Sequence, residues 1–434
     1  MRTVGELLGW CLRDAGVTRV YGYAVPGLEQ FPTADDRLAA LLADADGRLG
    51  PAPGVALTSE RALRITSRPG GSESGDVALD DAREVGPAIA RAAAAARFRS
   101  ATTTLRLQLD LDAPAPTDAQ PARLAILPLD LRVDLPRGPV VVIAGPGVVR
   151  AGSFAWGDAV DGLRSFAAAS GLGVVNTWGA KGVFPWDSPH HLGTAGLQAE
   201  DFSLLGFRDV ELIVATGLDA DESAPERYEL APAVHLSPIH LGPLADHVTA
   251  RPIESPVNEL YARMSSIAQP GYVDASVPLH PARAVADVRA ALPPGGLVAA
   301  DPGVAGLWFA RTFPTSVLGS VVVPATRAPG IAAALAFVGE TRGRTAIAVT
   351  TDPVDDMTQR VVELAHARGV TLTVESWSAD GELDGVDAHE AGLRAGLALP
   401  AVHQLRTPVD LGRTRDLVDA AGPVVAWGGL DAAP

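Results

Sequence analysis

The chain has 434 residues, of which 47% are hydrophobic and 20% charged, and its formal net charge is −16 at pH 7. That negative charge disfavours nonspecific binding to nucleic acid or to an anionic membrane surface. The single cysteine, Cys11, excludes an intrachain disulfide framework and a cysteine-cluster metal site. Because the sequence shows neither a run of about 18 apolar residues nor a signal-like start, we expect a cytoplasmic protein without a membrane segment.

The first block, predicted to span residues 1–128, alternates helical and strand patterns. Thr3–Ala15 has apolar residues at helical spacing, and three prolines in Asp112–Ala122 indicate a linker. The predicted helices are Thr3–Ala15, Asp35–Ala45 and Glu84–Ala96, and the predicted strands are Thr18–Tyr23, Gly54–Thr58, Ala62–Thr66 and Thr102–Leu111.

The second block, predicted to span 129–270, opens with Pro139–Ala144, an apolar run typical of a parallel strand buried on both faces. Further strands are predicted at Gly173–Thr177, Leu212–Thr216 and Ala233–Leu236, and helices at Gly157–Ser170 and Ala199–Leu205. This alternation favours a doubly wound parallel sheet.

The third block, predicted to span 271–434 and to begin after Gln269-Pro270, repeats the alternation. Helices are predicted at His280–Ala291, Gly330–Phe337, Asp356–Arg368, Ala388–Leu397 and Asp410–Ala421, and strands at Leu297–Ala300, Thr345–Thr350, Val370–Glu375, Val402–Leu405 and Pro423–Trp427. Asp355 or Asp356 is expected to cap the Met357–Arg368 helix.

The order of motifs resembles the thiamine-diphosphate-dependent enzyme family, specifically its acetolactate synthase-like branch. Tyr21–Gly27 is similar to the family's first "G-x-P-G" turn, and the strongest match is "GPVVVIAGPGVVRAG" followed by "VVNTWGAKGVFPWDSPHHLGTAG". "VAADPGVAGLWFAR" resembles the start of the diphosphate-binding domain and places Asp301 and Gly303 at its first phosphate-side turn. The resemblance implies an α/β protein with three doubly wound parallel-sheet domains: a shortened pyrimidine-binding-like domain, a central domain and a diphosphate-binding-like domain.

The family's cofactors are thiamine diphosphate and Mg²⁺, and a glutamate of the pyrimidine domain activates the cofactor. Its active sites lie between the first and third domains of different subunits, so the resemblance implies a homodimer or homotetramer. Between Val55 and Asp80 this chain is too short for the family's glutamate-bearing segment. Glu60 is the residue that would replace the catalytic glutamate.

In the family, Mg²⁺ bridges the diphosphate to a G-D-G turn and a later asparagine, as suits a cation that prefers oxygen ligands. Here Thr351-Asp352-Pro353 stands where G-D-G would fall, and Glu375 stands near the asparagine position. Asp352 and Glu375 are therefore the candidate metal ligands. Pro353 removes an amide hydrogen from the turn, and Glu375 adds negative charge beside a diphosphate.

Two further features bear on small-molecule binding. Gly145-Pro146-Gly147 ends a predicted strand, where a parallel sheet offers amides to a ligand, and homologous domains bind FAD or ADP there. Lys181 is the single lysine of the chain, so any Schiff-base chemistry would rest on it, with Trp178 beside it as a possible ligand wall.

Three hypotheses follow, and they leave open whether the protein is an enzyme. The first is a degenerate homologue that has lost standard thiamine catalysis and binds a small molecule, runs altered chemistry or supports a partner. The second is an active thiamine-dependent lyase or carboligase on a 2-oxo acid, with Glu60 as the activating carboxylate. The third is a flavin- or adenine-nucleotide-binding protein that uses only the central domain.

Overall fold

The computed structural model describes residues 2–67, 73–99, 101–122, 133–154, 157–250 and 258–430. The chain divides into two compact units, Met1–Leu129 and Asp130–Pro434, called unit 1 and unit 2 below. No helix in these described ranges is long and apolar enough to cross a membrane.

Unit 1 is built around a six-stranded sheet. Its strands are β1 (Arg19–Gly22), β2 (Glu29–Phe31), β3 (Gly54–Leu57), β4 (Ala62–Thr66), β5 (Glu73–Leu79) and β6 (Thr102–Leu107), and its helices are α1 (Val4–Asp14), α2 (Asp36–Leu49) and α3 (Val85–Arg99). The strand order is β2-β1-β3-β4-β6-β5. β4 runs antiparallel to β3 and β6, whereas the other neighbouring pairs are parallel.

The start of α1 shows how the sequence sets an element boundary. The Thr3 hydroxyl accepts a hydrogen bond from the Glu6 amide, and the Glu6 carboxylate accepts one from the Thr3 amide. This capping box satisfies two amides that the first helical turn leaves unpaired. The predicted linker Asp112–Ala122 contains no helix or strand and is bonded to the start of α1, because the amide of Val4 donates to the carbonyl of Ala113.

The first sheet of unit 2 is wholly parallel, with the order β11-β10-β7-β12-β13. The elements of this part are β7 (Val140–Ala144), α4 (Gly147–Ala151), β8 (Ser153–Phe154), β9 (Gly157–Asp158), α5 (Ala159–Ser170), β10 (Gly173–Thr177), β11 (His191–Ala195), α6 (Asp201–Leu204), β12 (Leu212–Thr216), α7 (Pro225–Tyr228), β13 (Ala233–Leu236) and α8 (Leu241–Ala245). All five residues of β7 are buried, as the apolar run predicts for a central parallel strand.

The second sheet of unit 2 is also wholly parallel, with the order β15-β14-β16-β17-β18. Its part of the chain contains α9 (Glu259–Tyr272), α10 (Pro281–Ala291), β14 (Leu297–Ala300), α11 (Val304–Thr312), β15 (Val321–Val322), α12 (Ile331–Thr341), β16 (Ala346–Thr351), α13 (Asp356–Arg368), β17 (Leu372–Ser378), α14 (Asp387–Ala398), β18 (Val402–Pro408) and α15 (Thr414–Ala421). Asp355 caps α13 by accepting from the amides of Met357 and Thr358, which confirms that expectation.

Three sheets dominated by parallel strand pairs confirm the predicted α/β fold class. Several details differ from the sequence prediction. Gln269-Pro270, where we expected the third block to begin, lies inside α9. Pro423–Trp427 is not a strand; it forms only an isolated bridge between Val424 and Gln198. The domain boundaries at 128 and 270 stay predictions.

One hydrophobic core runs through both sheets of unit 2. It includes Val141 and Ile143 of β7, Ile347 of β16, and the fully buried Trp308 and Trp377. Helices α9 and α11 contribute Leu260 and Phe309 to the same core. The two sheets are therefore parts of one packed body, and a cavity can form between their elements.

Candidate functional site

The carboxyl edge of the second sheet of unit 2 carries Asp301, directly after β14. Its Oδ1 accepts a hydrogen bond of 3.0 Å from the amide of Ala332, at the start of α12. Burial raises the pKa of Asp301 to about 6, although hydrogen bonds from Thr350 and from the Ala332 amide act to lower it. Asp301 thus accepts a hydrogen bond from an otherwise unpaired amide at the N-terminus of α12.

Gly303 starts α11 with a backbone φ of 146°. That conformation favours glycine, because side chains of L-residues rarely tolerate it. A Cβ atom at this position would meet no heavy atom within 4 Å. Gly303 is required here by the turn of the backbone, and the space beside it is open.

Asp352 follows β16 at the same edge and is paired with an arginine. Its Oδ2 accepts a hydrogen bond of 2.5 Å from Nε of Arg406 on β18, and Arg406 also donates to Ser378 at 2.7 Å. Partial burial acts to raise the pKa of Asp352, but hydrogen bonds from Arg406, Ser376 and Ser378 outweigh it and hold the pKa below its usual value. The negative charge of Asp352, which would attract a metal ion, is therefore already compensated by Arg406.

Glu375 lies in β17 and is fully buried. Its Oε1 accepts from the indole of Trp377 at 3.0 Å and is 2.9 Å from Nε2 of His389. Nδ1 of the same histidine is 2.9 Å from Oδ2 of Asp287, whose other oxygen accepts from Arg283 at 2.6 Å. We call Glu375, His389, Asp287 and Arg283 the buried network.

The two predicted metal ligands lie on opposite faces of the sheet. Side chains alternate between faces along a strand, so Glu375 and Trp377 share one face of β17 while Ser376 and Ser378 share the other. Asp352 bonds with the two serines, whereas Glu375 bonds with Trp377 and His389. The structure does not bring the two carboxylates together on one ion, and the described residues contain no cluster of three potential metal ligands.

Glu60 lies in unit 1, in the tight turn that connects β3 to β4. Its side chain is exposed to solvent. The turn is held by the neighbouring Ser59, whose hydroxyl donates to Asp36 at 2.5 Å. Within the single chain, this turn does not give Glu60 the low-dielectric surroundings that set catalytic carboxylates apart.

The glycine turn after β7 is closed by its own backbone. The amide of Gly145 donates to Thr216 at 2.9 Å, and that of Gly147 donates to Gly217 at 2.7 Å. A Cβ on Gly145 would lie 2.5 Å from the carbonyl oxygen of Gly217. The glycines therefore permit close packing of two loops, and these two amides are not available to a nucleotide phosphate.

A cavity of about 340 Å³ lies within unit 2. Leu260, Met264 and Ala268 of α9 form an apolar wall together with Phe313, and Trp186 and Tyr261 are exposed beside them. The polar side is formed by Lys181, His191, Thr194 and Arg311. This combination of an apolar wall and a few converging polar groups is typical of small-molecule sites.

Lys181 is buried at this cavity and is only 9% exposed. Its Nζ lies 3.5 Å from the hydroxyl of Thr194. Burial, together with the nearby positive charge of Arg311, lowers the pKa of Lys181 to about 7. A substantial fraction of the amine is therefore neutral at pH 7.

His191 and Arg311 complete the polar side. Burial lowers the pKa of His191 to about 4, with a contribution from Lys181, so its ring is neutral. Nδ1 of His191 is buried and has no hydrogen-bond partner in the part of the chain that the structure describes. Arg311 is held in place by Asp201 at 2.5 Å and by the carbonyl of Thr194 at 2.8 Å.

The sequence singles out Lys181 but does not predict the residues that surround it. Lys181 attracts notice as the single lysine after a predicted strand, whereas Trp178, expected beside it as a ligand wall, is buried in the core. No local sequence pattern indicates that Arg311 and the α9 residues line a cavity, because they reach it only through packing between distant segments. His190, the neighbour of His191, does not line the cavity; its Nδ1 is 2.9 Å from the carbonyl oxygen of Leu172.

Comparison with known proteins identifies the central segment. Residues 139–257 match the family model of the thiamine pyrophosphate enzyme central domain. Among curated proteins, none is similar enough to the chain to count as a match.

A solved structure from Mycobacterium smegmatis, described as a candidate thiamin diphosphate-dependent enzyme, has a similar fold. It is 14% identical in sequence, with a TM-score of 0.62, and the likeness covers 94% of this chain and 99% of that one. This likeness shows the fold. The relation to thiamine pyrophosphate enzymes is supported by the family-model match of residues 139–257.

The buried network predicts a pH-dependent stability. Burial acts to lower the pKa of His389, but Glu375 and Asp287 outweigh it and raise the pKa from 6.5 to about 9. Its contribution to the free energy of unfolding is thus complete below pH 6.5 and is lost as pH rises through 9. Urea denaturation of the wild type at pH 6.5 and pH 9 should show this loss.

The substitution His389→Leu leaves two buried carboxylates without their shared partner. It should lower the free energy of unfolding at pH 6.5 by about 3–5 kcal/mol and remove the loss between pH 6.5 and 9. His366→Leu, at an exposed position of α13, is the matched control and should change little. An unchanged pH dependence in His389→Leu would contradict this account.

The glycine turn predicts a packing defect. Gly145→Ala should lower the free energy of unfolding by about 1–3 kcal/mol, because the new methyl group collides with the backbone at Gly217. Gly392→Ala is the control: it lies in α14 with no heavy atom within 4 Å of its added Cβ. That control should raise stability by about 1 kcal/mol in the same urea titration. Equal stability of Gly145→Ala and wild type would show that the loops do not pack this closely.

Proposed function

We propose that the chain is an acetolactate synthase-like member of the thiamine-diphosphate-dependent enzyme family that does not carry out the family's standard catalysis. Its role is then small-molecule binding, altered chemistry or support of a partner. The observation that supports the proposal is the pairing of Asp352 with Arg406, because the sequence resemblance predicts Asp352 as a metal ligand.

The metal site argues for this proposal on chemical grounds. Mg²⁺ needs several oxygen ligands in octahedral geometry. Here Asp352 is compensated by Arg406, Glu375 faces the opposite side of the sheet, and Pro353 has no amide hydrogen. The residues present therefore do not fit Mg²⁺–thiamine diphosphate, and we derive no catalytic step through that cofactor.

The two alternatives have less support from the geometry. An active lyase or carboligase on a 2-oxo acid would rely on Glu60, which lies on an exposed turn. A flavin or adenine nucleotide would need amides at Gly145 and Gly147, and those amides donate to Thr216 and Gly217. The predicted homodimer or homotetramer and the cytoplasmic location stay predictions.

Calorimetric titration of the protein with thiamine diphosphate tests the proposal. Because Arg406 already compensates Asp352, the wild type should show no Mg²⁺-dependent heat at ligand concentrations up to about 100 μM, well above the dissociation constant of a tight site. Asp352→Asn and, as a matched control, the exposed Asp380→Asn are titrated in parallel.

Mg²⁺-dependent binding with a dissociation constant below about 10 μM, abolished by Asp352→Asn but not by Asp380→Asn, would overturn the proposal. The active-enzyme alternative makes a different statement about turnover. It requires CO₂ release from a 2-oxo acid that disappears in Glu60→Gln, whereas our proposal expects none from a panel of such acids.

A further inference from the structure

The cavity of unit 2 presents a single primary amine to a bound molecule. Lys181 is the only lysine of the chain, and it is nine-tenths buried where it lines the cavity. The one hydrogen bond of its Nζ in the described part of the chain is the long contact of 3.5 Å to Thr194. A buried amine with so little internal bonding is able to react with a ligand.

The groups that face Lys181 do not neutralise it. The described residues that line the cavity include the cations Arg289 and Arg311 and the neutral His191, and none of them is acidic. Asp201, which lies beyond Arg311, is bonded to that arginine at 2.5 Å and is not among the residues that line the cavity. The surroundings therefore favour the uncharged amine, as in enzymes that use lysine as a nucleophile.

The rest of the cavity selects an apolar partner. Leu260, Met264, Ala268 and Phe313 form one wall, and the volume of about 340 Å³ is at the small end of ligand sites. Arg311 is committed to Asp201, Gln198 and the carbonyl of Thr194. These internal bonds explain the position of Arg311 without a ligand carboxylate.

We propose that this cavity binds a small aldehyde or ketone with an apolar or aromatic substituent, and that Lys181 captures the carbonyl group as an imine. The proposal does not depend on thiamine diphosphate. It assigns a carbonyl compound to the cavity and gives the single lysine a covalent role.

The reaction balances without an oxidant or a reductant. The lone pair of Lys181 Nζ attacks the carbonyl carbon, and the C=O π electrons move to oxygen to give a carbinolamine. Transfer of the two amine protons to that oxygen releases one water molecule as the C=N bond forms. His191 lines the same cavity as Lys181 and its ring is neutral, so it adds no positive charge beside the reacting amine.

The test uses benzaldehyde as the carbonyl probe and sodium cyanoborohydride to reduce the imine to a stable adduct. Mass spectrometry of the intact protein counts adducts, and peptide mapping locates them. Lys181→Arg is the control, since it keeps a long basic side chain but lacks a primary amine. The chain's α-amino group is distinguished by the mapping and is unchanged in Lys181→Arg.

We expect one adduct on Lys181, formed on the order of 1,000-fold faster at pH 7 than on free Nα-acetyl-lysine amide. The reason is that an ordinary lysine is neutral in roughly one molecule in 3,000 at pH 7, whereas a group with a pKa near 7 is about half neutral. Glyceraldehyde, a polar carbonyl probe, should react more slowly than benzaldehyde because it cannot use the apolar wall.

A second variant tests whether the cavity matters. Met264→Trp should fill the cavity and suppress labelling of Lys181, whereas Leu399→Trp, at an exposed position, should leave labelling unchanged. Ala268→Leu serves the same purpose if circular dichroism shows that Met264→Trp does not fold.

Three results would overturn the proposal. These are no adduct on folded wild-type protein, equal labelling when the cavity is filled, and labelling no faster than that of the free amino acid derivative. Binding of benzoate together with the first of these results would show that the cavity holds anions without imine formation.

Discussion

The ion pair between Asp352 and Arg406 is the interaction on which the functional reading depends. Parallel sheets direct the carboxyl ends of their strands to one edge, and ligand sites of α/β proteins usually form there. In this chain the carboxylate at the end of β16 meets an arginine from β18 at 2.5 Å. A cation and a guanidinium compete for the same oxygen atoms, and here the guanidinium of Arg406 occupies Oδ2 of Asp352.

The buried network extends the same principle to the opposite face of that sheet. Removing Glu375 from water is costly unless its charge is paired and hydrogen-bonded. His389 supplies that pairing and shares it with Asp287, which in turn bonds with Arg283. Glu375 joins β17 to α14 and α10 through these contacts. A carboxylate that looks like a metal ligand by its position in the sequence is thus part of the fold's internal electrostatics.

Part of the candidate site could be predicted from residues alone. The position of Asp301 after a strand, the capping of α13 by Asp355 and the unique Lys181 are all local features. The residues that interact with Asp301, Asp352 and Lys181 come from far along the chain. They are Ala332 for Asp301, Arg406 for Asp352 and Arg311 for Lys181. Short-range patterns cannot encode such contacts, because they arise when separate strands and helices pack. The cavity beside α9 is a product of the same packing.

By itself, the sequence determined the alternation of helices and strands, the buried parallel strands such as β7, and the replacement of the expected metal turn by Thr351-Asp352-Pro353. Residue type and hydrophobic period are local properties, so these conclusions needed no coordinates. Only the tertiary structure decided which face of β17 carries Glu375, which amides of the Gly145 turn are already bonded, and that the lone lysine borders a cavity. Those outcomes depend on strand register and on the approach of distant backbones, which no single stretch of sequence specifies.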